Sequence, residues 1–274
     1  MKTAVVGHVE WVTFARVDHV PQPGEIVHAE DVFELPAGGG AVAAVQLLKL
    51  AGNCMFYTAF GDDALGRRAK SELQGLGVDV ESVFRDEAQR RAFTHVDGFG
   101  ERTITVMGER LGPRASDPLP WDELADVDAL FFTAGDDEAL RMSRKAKVLV
   151  ATTREAERIA RVGEFLDAAV GSGRDPSESY AKTTPDPGLI VNTLGKDGGR
   201  YLVPDGRWSS FDGVQPSGPI VCAYGAGDSF AAGLTFGLGS GRTVEESLAL
   251  AARCGANTLT GQGPYEGQLT SDDL

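Results

Sequence analysis

At 274 residues the chain has material for one large α/β domain, or one domain with a small appendage. Its 42% hydrophobic and 24% charged residues are ordinary for a globular protein, and a formal net charge of −14 with no long Lys/Arg cluster excludes a nucleic-acid partner. No apolar run approaches the roughly 20 residues of a bilayer span, and residues 1–15 lack a basic start and an apolar core, so the expectation is a cytoplasmic protein with no membrane partner. Cys54, Cys222 and Cys254 are odd in number and lack paired metal spacing, which suits reduced, unbridged thiols. The short basic pairs Arg67-Arg68 and Arg90-Arg91 read as solvated surface.

Residues 2–7 form a short apolar run closed by glycine, the pattern of a buried strand in a parallel sheet. His8, Glu10 and Trp11 follow it, where they either line a pocket or cover the sheet edge. Across residues 14–35 short apolar stretches flank Pro21-Gln22-Pro23-Gly24, which predicts a hairpin. Next, Ala37-Gly38-Gly39-Gly40-Ala41-Val42 opens a helix running to about Leu50. Gly38, Gly40 and Ala43 satisfy the dinucleotide pattern G-x-G-x-x-A, but that fingerprint belongs in the first βα turn, which here lacks glycines. Residues 54–60 read as a strand, and Asp62 or Asp63 caps a helix with Leu65, Ala69, Leu73 and Leu76 on one face. Residues 91–108 read as a second hairpin around Asp97-Gly98-Phe99-Gly100, able to pair with the first in one small sheet that carries His19, His28 and His95.

A strand–helix rhythm resumes with strands predicted at residues 129–133, 147–151, 165–170 and 189–193. Such alternation implies a parallel sheet covered on both faces, a three-layer α/β/α core with ligands at the strand ends. Two motifs fall there: Ser172-Gly173-Arg174-Asp175, and Thr193-Leu194-Gly195-Lys196-Asp197-Gly198-Gly199, the latter equally readable as a plain turn between antiparallel strands. Most informative is Gly225-Ala226-Gly227-Asp228-Ser229-Phe230, leading into a small-residue helix. Three tiny residues at a helix start leave unpaired N–H groups at a positive dipole end, a cradle for phosphate. Asp228 beside it either caps the helix or orients and deprotonates an alcohol that accepts a phosphoryl group. Thr243-Val244-Glu245-Glu246 is a capping box for a last, Ala-rich helix. No GxxxxGK[ST] phosphate loop is present.

The run from Gly225 to Gly233 resembles the C-terminal signature of the PfkB/ribokinase family of sugar and nucleoside kinases, and residues 36–66 resemble its N-terminal one. The resemblance spans nearly the whole chain. It implies a ribokinase-like α/β/α core from residues 1–13, 36–88 and 109–274, and a β lid from residues 14–35 and 89–108 through which the family often forms homodimers. It implies ATP and magnesium as cofactors, and a small sugar or nucleoside as acceptor. Asp228 would be the base, with Gly225, Ala226 and Gly227 forming the anion hole. Glu10, Gly38, Gly39 and position 42 would meet the acceptor; Thr193, Gly195, Ser172 and Asp175 would meet the nucleotide, with magnesium near Asp175.

The chain departs from that pattern at four places. Val42 replaces the usual Asn, Ser172 and Asp175 replace the Asn and Glu of an Asn-x-x-Glu motif, and Cys222-Ala223 stands where Asp-Thr is common. The last change removes a carboxylate that helps hold a monovalent cation, so potassium activation is not expected. These changes keep open a weakened regulator that only binds sugar or nucleotide, and the glycines at 38–43 keep open a nicotinamide-dependent enzyme.

Overall fold

The side chains of residues 3–6 are wholly buried because they lie at the middle of a sheet covered on both sides. A computed structural model describes every residue except 179, 181, 182 and 205. Strand β1 (Thr3–Val6) leads into β2 (Glu10–Arg16) and β3 (Asp31–Ala37), then α1 (Gly39–Ala51), β4 (Met55–Gly61), α2 (Ala64–Gly75) and β5 (Asp79–Arg85). A second hairpin, β6 (Arg91–Val96) and β7 (Arg102–Met107), precedes β8 (Ala129–Phe132), α3 (Asp137–Ser143), β9 (Val148–Thr152), α4 (Ala156–Val162), β10 (Ala168–Ser172) and β11 (Ile190–Thr193). The C-terminal part adds β12 (Gly199–Leu202), β13 (Ser209–Phe211), α5 (Ala226–Gly239) and α6 (Val244–Thr258).

The large sheet has the order β13-β12-β11-β10-β9-β8-β1-β4-β5, parallel from β11 to β5 and antiparallel at the β12 and β13 edge. Period-two alternation sorts its side chains. Val5, Phe56, Phe131, Val150 and Val191 pack toward α1, α2, α5 and α6, whereas Val6, Tyr57, Phe132, Leu149 and Ala169 pack toward α3, α4 and Trp121. Chain order reverses at β1, whose neighbours are β4 on one side and β8 on the other. Open α/β sheets place their crevice at such a reversal, beyond the carboxyl ends of the strands.

The two hairpins form a separate sheet of order β3-β2-β6-β7, with β2 parallel to β6 from Trp11↔Arg91 to Arg16↔Val96. Its inner face packs Val12, Phe14, Ala92 and Val96 onto Val42, Cys222 and Tyr224 of the core. The register puts Val106 beside Ala92 and Ile104 beside Thr94, on that same face, yet both are exposed because β7 overhangs the core.

Some boundaries differ from the sequence reading. The first lid strand begins at Glu10 and its partner ends at Ala37, wider than residues 14–35, because the strand pairs continuously through Trp11. Strand β5 escapes the pattern since one edge of it is solvated. The strand expected at 165–170 lies at Ala168–Ser172, and residues 193–199 do turn between antiparallel strands. Asp63 caps α2 by accepting the Gly66 N–H at 2.8 Å, and the Thr243 capping box is formed. All three cysteines are free and buried, and burial pushes the Cys54 and Cys254 thiols up to about 12, so neither is a nucleophile near neutrality. No helix among the described residues is long and apolar enough to cross a membrane.

These placements predict unequal costs in urea unfolding. Phe131→Ala, at the sheet's centre, should lower stability by about 3–5 kcal/mol. Thr243→Ala, which removes only a helix cap, should lower it by about 1 kcal/mol.

Candidate active site

Helix α5 begins abruptly because Gly225 adopts φ 82° and ψ −1°, a left-handed conformation that a side chain resists. A Cβ at this position would also stand 2.8 Å from Pro264 and 3.0 Å from Val42. No side chain caps the helix, and its first backbone bond runs from Ser229 N–H to Gly225 O at 2.9 Å. The N–H groups of Ala226, Gly227 and Asp228 therefore have no intrahelical acceptor. Gly227 is exposed, and nothing stands within 4 Å of where its Cβ would be, so the positive end of this 14-residue helix is open at that residue.

Asp228 does not fold back to cap that end. Its Oδ1 lies 2.9 Å from the position a Cβ on Gly39 would take, and the Thr133 hydroxyl lies 3.2 Å from the same point. Only a residue without a side chain lets the carboxylate, the hydroxyl and the 38–39 backbone converge. Burial pushes the Asp228 carboxyl up to about 6; Arg154 opposes the shift, while Glu178 and Glu10 add to it. A carboxylate poised there is a competent proton acceptor near neutrality.

One residue earlier, Gly38 is pinched between Glu10, whose Cγ would be 3.1 Å from a Cβ, and His8, at 3.4 Å. Its N–H donates to the Tyr224 hydroxyl at 3.1 Å. The Tyr224 ring in turn meets the lid's Phe14 edge-on at 5.1 Å between centroids. Gly38 and Gly39 thus form a bare backbone floor with Asp228 at one end and His8 and Glu10 at the other. Glu10 is buried, 2.7 Å from Arg90 Nε and 3.8 Å from His8 Nε2. Burial raises its carboxyl pKa despite the Arg90 charge. Burial, with the charges of Arg110, Arg90 and Arg154, holds His8 well below its usual value, so the ring is neutral.

The remaining predicted residues gather at the ends of β10 and β11, where Ser172 pairs with Thr193. Ser172 N–H donates to Glu178 Oε2 at 2.7 Å, and its hydroxyl accepts from Arg174 N–H at 3.2 Å. Asp175 accepts the backbone N–H and hydroxyl of Ser177 at 2.9 and 2.7 Å and lies 3.8 Å from Arg154. Arg154 also pairs with buried Glu178, which ties this group to Asp228 electrostatically. Gly195 takes φ 62° at the tight turn leaving β11. Among the described residues no three His, Cys, Asp or Glu side chains converge as a metal cage, so a divalent cation here would rely mainly on phosphate oxygens and water.

Two expectations are corrected, at position 42 and at Arg90, and the disfavoured dinucleotide reading loses its structural context. Val42 is fully buried against Cys222 and Tyr224, and its side chain fills the core beneath the lid instead of facing an acceptor. The Gly38–Ala43 turn follows lid strand β3, not a strand of the parallel sheet, so it lacks the context of a dinucleotide fingerprint. Arg90, read as surface, is instead largely buried against Glu10. Thr133, Glu178, Tyr224 and the arginines escaped the sequence reading; only Thr133 carried a signal, its place at the end of a predicted strand.

A family model described as pfkB family carbohydrate kinase matches residues 2–184 and 133–271, stretches that overlap and together take in nearly the whole chain. An ATP-dependent ribose-1-phosphate kinase from Halopiger xanaduensis is 27% identical, covering 94% of this chain and 91% of that protein. A fructokinase from Klebsiella pneumoniae is 28% identical over 89% of this chain and 92% of its own length. The crystal structure of ribokinase from Cryptococcus neoformans var. grubii serotype A in complex with ADP superposes with a TM-score of 0.76 at 20% identity, covering 99% and 98% of the two chains. With a ribokinase-like fold and a family match along almost all its length, the chain belongs to the pfkB family of ATP-dependent carbohydrate kinases.

Proposed function

We propose that the chain transfers the γ-phosphoryl group of ATP to a hydroxyl of a sugar, nucleoside or related polyol, with Asp228 as the base. The observation that carries this reading is the carboxylate set between a side-chain-free floor and three unsatisfied amides. An acceptor hydroxyl resting on Gly38 and Gly39 would give its proton to Asp228 as its oxygen bonds to the γ-phosphorus and the bond to ADP breaks. The amides of Ala226, Gly227 and Asp228 would hold the charge on the moving group. Thr193, Gly195, Ser172 and Asp175 would flank the nucleotide at the ends of β10 and β11, and magnesium carried on its phosphates near Asp175 would neutralise charge there.

The lid adds a second element to the proposal. Strand β7 is a free sheet edge, and Ile104 and Val106 are 42% and 43% exposed on its inward face. Exposed apolar residues on an open edge favour pairing with another copy, and we assign a homodimer to this surface.

Asp228→Asn should lower turnover by about 10²–10⁴-fold in a coupled ADP-release assay against a polyol and nucleoside panel; unchanged activity would point to a binding-only protein instead. In the wild type, kcat/KM should fall as pH drops below about 6, as Asp228 takes up its proton. The same shift has a stability sign. Between the ordinary aspartate value and about 6 the folded state holds more protons than the unfolded one, so this group's contribution falls as pH rises through that window. Asp228→Asn should accordingly melt higher than wild type at pH 7.5 in a thermal scan. For the lid, sedimentation velocity should find a dimer at micromolar concentration and a monomer for Ile104→Asp with Val106→Asp; a monomeric wild type refutes the assignment.

A further inference from the structure

Tyr224, one residue ahead of the Gly225 turn, reaches the floor from the α5 side. Its ring meets Phe14 edge-on at 5.1 Å and packs with Val42 in the cluster beneath the lid. Phe14 is itself stacked on Phe33 at 4.8 Å, and the Ala223 N–H donates to Gly100 O at 2.8 Å, so ring and backbone are both held. The residue is only 5% exposed. A side chain so enclosed keeps its terminal hydroxyl in one place.

That hydroxyl is half used. It accepts the Gly38 N–H at 3.1 Å, but among the described residues nothing accepts its own hydrogen, and neither Glu10 nor Asp228 bonds to it. A phenol can accept and donate at once, and a buried donor without an acceptor marks a place where something else supplies one. Burial, reinforced by the charges of Glu10 and Asp228, holds the phenol well above its usual value, so the hydrogen stays in place near neutrality. No neighbour takes over the role: Val42 has no polar atom, and the Gly38 N–H is spent on the tyrosine itself. The amide instead polarises the phenol and strengthens it as a donor. Gly39, the next floor residue, carries the other contact, since Asp228 Oδ1 stands 2.9 Å from where its Cβ would be. Consecutive Cα atoms are about 3.8 Å apart, a separation that two oxygens on adjacent or next-but-one carbons can match.

Resting on the kinase reading above, we infer that Tyr224 sets acceptor specificity: it donates its hydroxyl hydrogen to one oxygen of a 1,2- or 1,3-diol while the other oxygen faces Asp228. The acceptor therefore needs an oxygen close to the one that receives the phosphoryl group, and the tyrosine recognises it in place of the main-chain amide of Gly38.

The test is calorimetric binding of ribose, fructose and adenosine, each against its monodeoxy forms, with ADP release measured alongside. The wild type should bind at least one parent compound about 10-fold more tightly than the deoxy form that lacks the recognised oxygen. Tyr224→Phe keeps the ring and removes the hydroxyl; it should weaken the parent by a similar factor while sparing that deoxy form and the KM for ATP. Phe14→Leu loosens the packing around the ring but keeps the hydroxyl, so it should lower the melting temperature and retain the preference. A preference that survives Tyr224→Phe would overturn the inference, leaving the hydroxyl a partner for bound water only. A preference lost equally in Phe14→Leu would overturn it too, because packing would then be the cause. Deoxy forms bound as tightly as every parent, or no panel member bound at all, would overturn the inference and leave the kinase reading to other acceptors. A preference removed by Tyr224→Phe but unaccompanied by ADP release would sustain the inference and remove the kinase reading.

Discussion

An uncapped helix start governs this molecule. Most helices satisfy their first N–H groups with a serine, threonine or aspartate side chain. At α5 the aspartate is present in the first turn but points to Gly39 instead, and the amides stay open. That choice costs stability twice, in a cap forgone and in a carboxylate held partly out of water. The rest of the fold supports the expense: α5 is packed along its length against α6 and α1, and Gly225 is wedged between Val42 and Pro264, so the start cannot unwind to find partners.

Topology then brings separate parts of the chain to this point. Because β1 sits where the strand order reverses, the loop after it, the end of β8 at Thr133 and the start of α1 share one crevice. The neighbouring ends of β9, β10 and β11 extend that crevice along the sheet, and Arg154 with Glu178 bridges the two stretches. If the open amides hold phosphate as proposed, the carboxylate beside them would be repelled by it on charge alone. The guanidinium groups of Arg154 and Arg102 offset that repulsion at Asp228.

The sequence made the architecture legible because its signals are local. Alternating apolar runs, glycine-closed strands and the Thr243 box each act within a few residues, and the glycines at 38–40 and 225–227 stand in contiguous motifs. The same holds for Asp228, whose neighbours in sequence disclose its setting. What stayed hidden depends on long-range geometry. Arg90 looks like any surface arginine until β2 pairs with β6 and sets it beside Glu10, a register no short window contains. A role for Val42 rests on analogy of position alone, but a valine cannot replace an amide, and its side chain packs into the core under the lid. Glu178 lies three residues beyond the motif ending at Asp175, where only the folded loop brings it back to the Ser172 amide.

The hydroxyl of Tyr224 has a mechanical meaning. It receives a hydrogen from the floor at Gly38, its ring leans on Phe14 of the overhanging sheet, and its own backbone immediately precedes the turn that launches α5. Three parts of the fold thus share one strut. Any tilt of the cover would pass through that strut to the platform and the amide nest, so on the proposed reading entry at the mouth and alignment beneath it would be geared to each other.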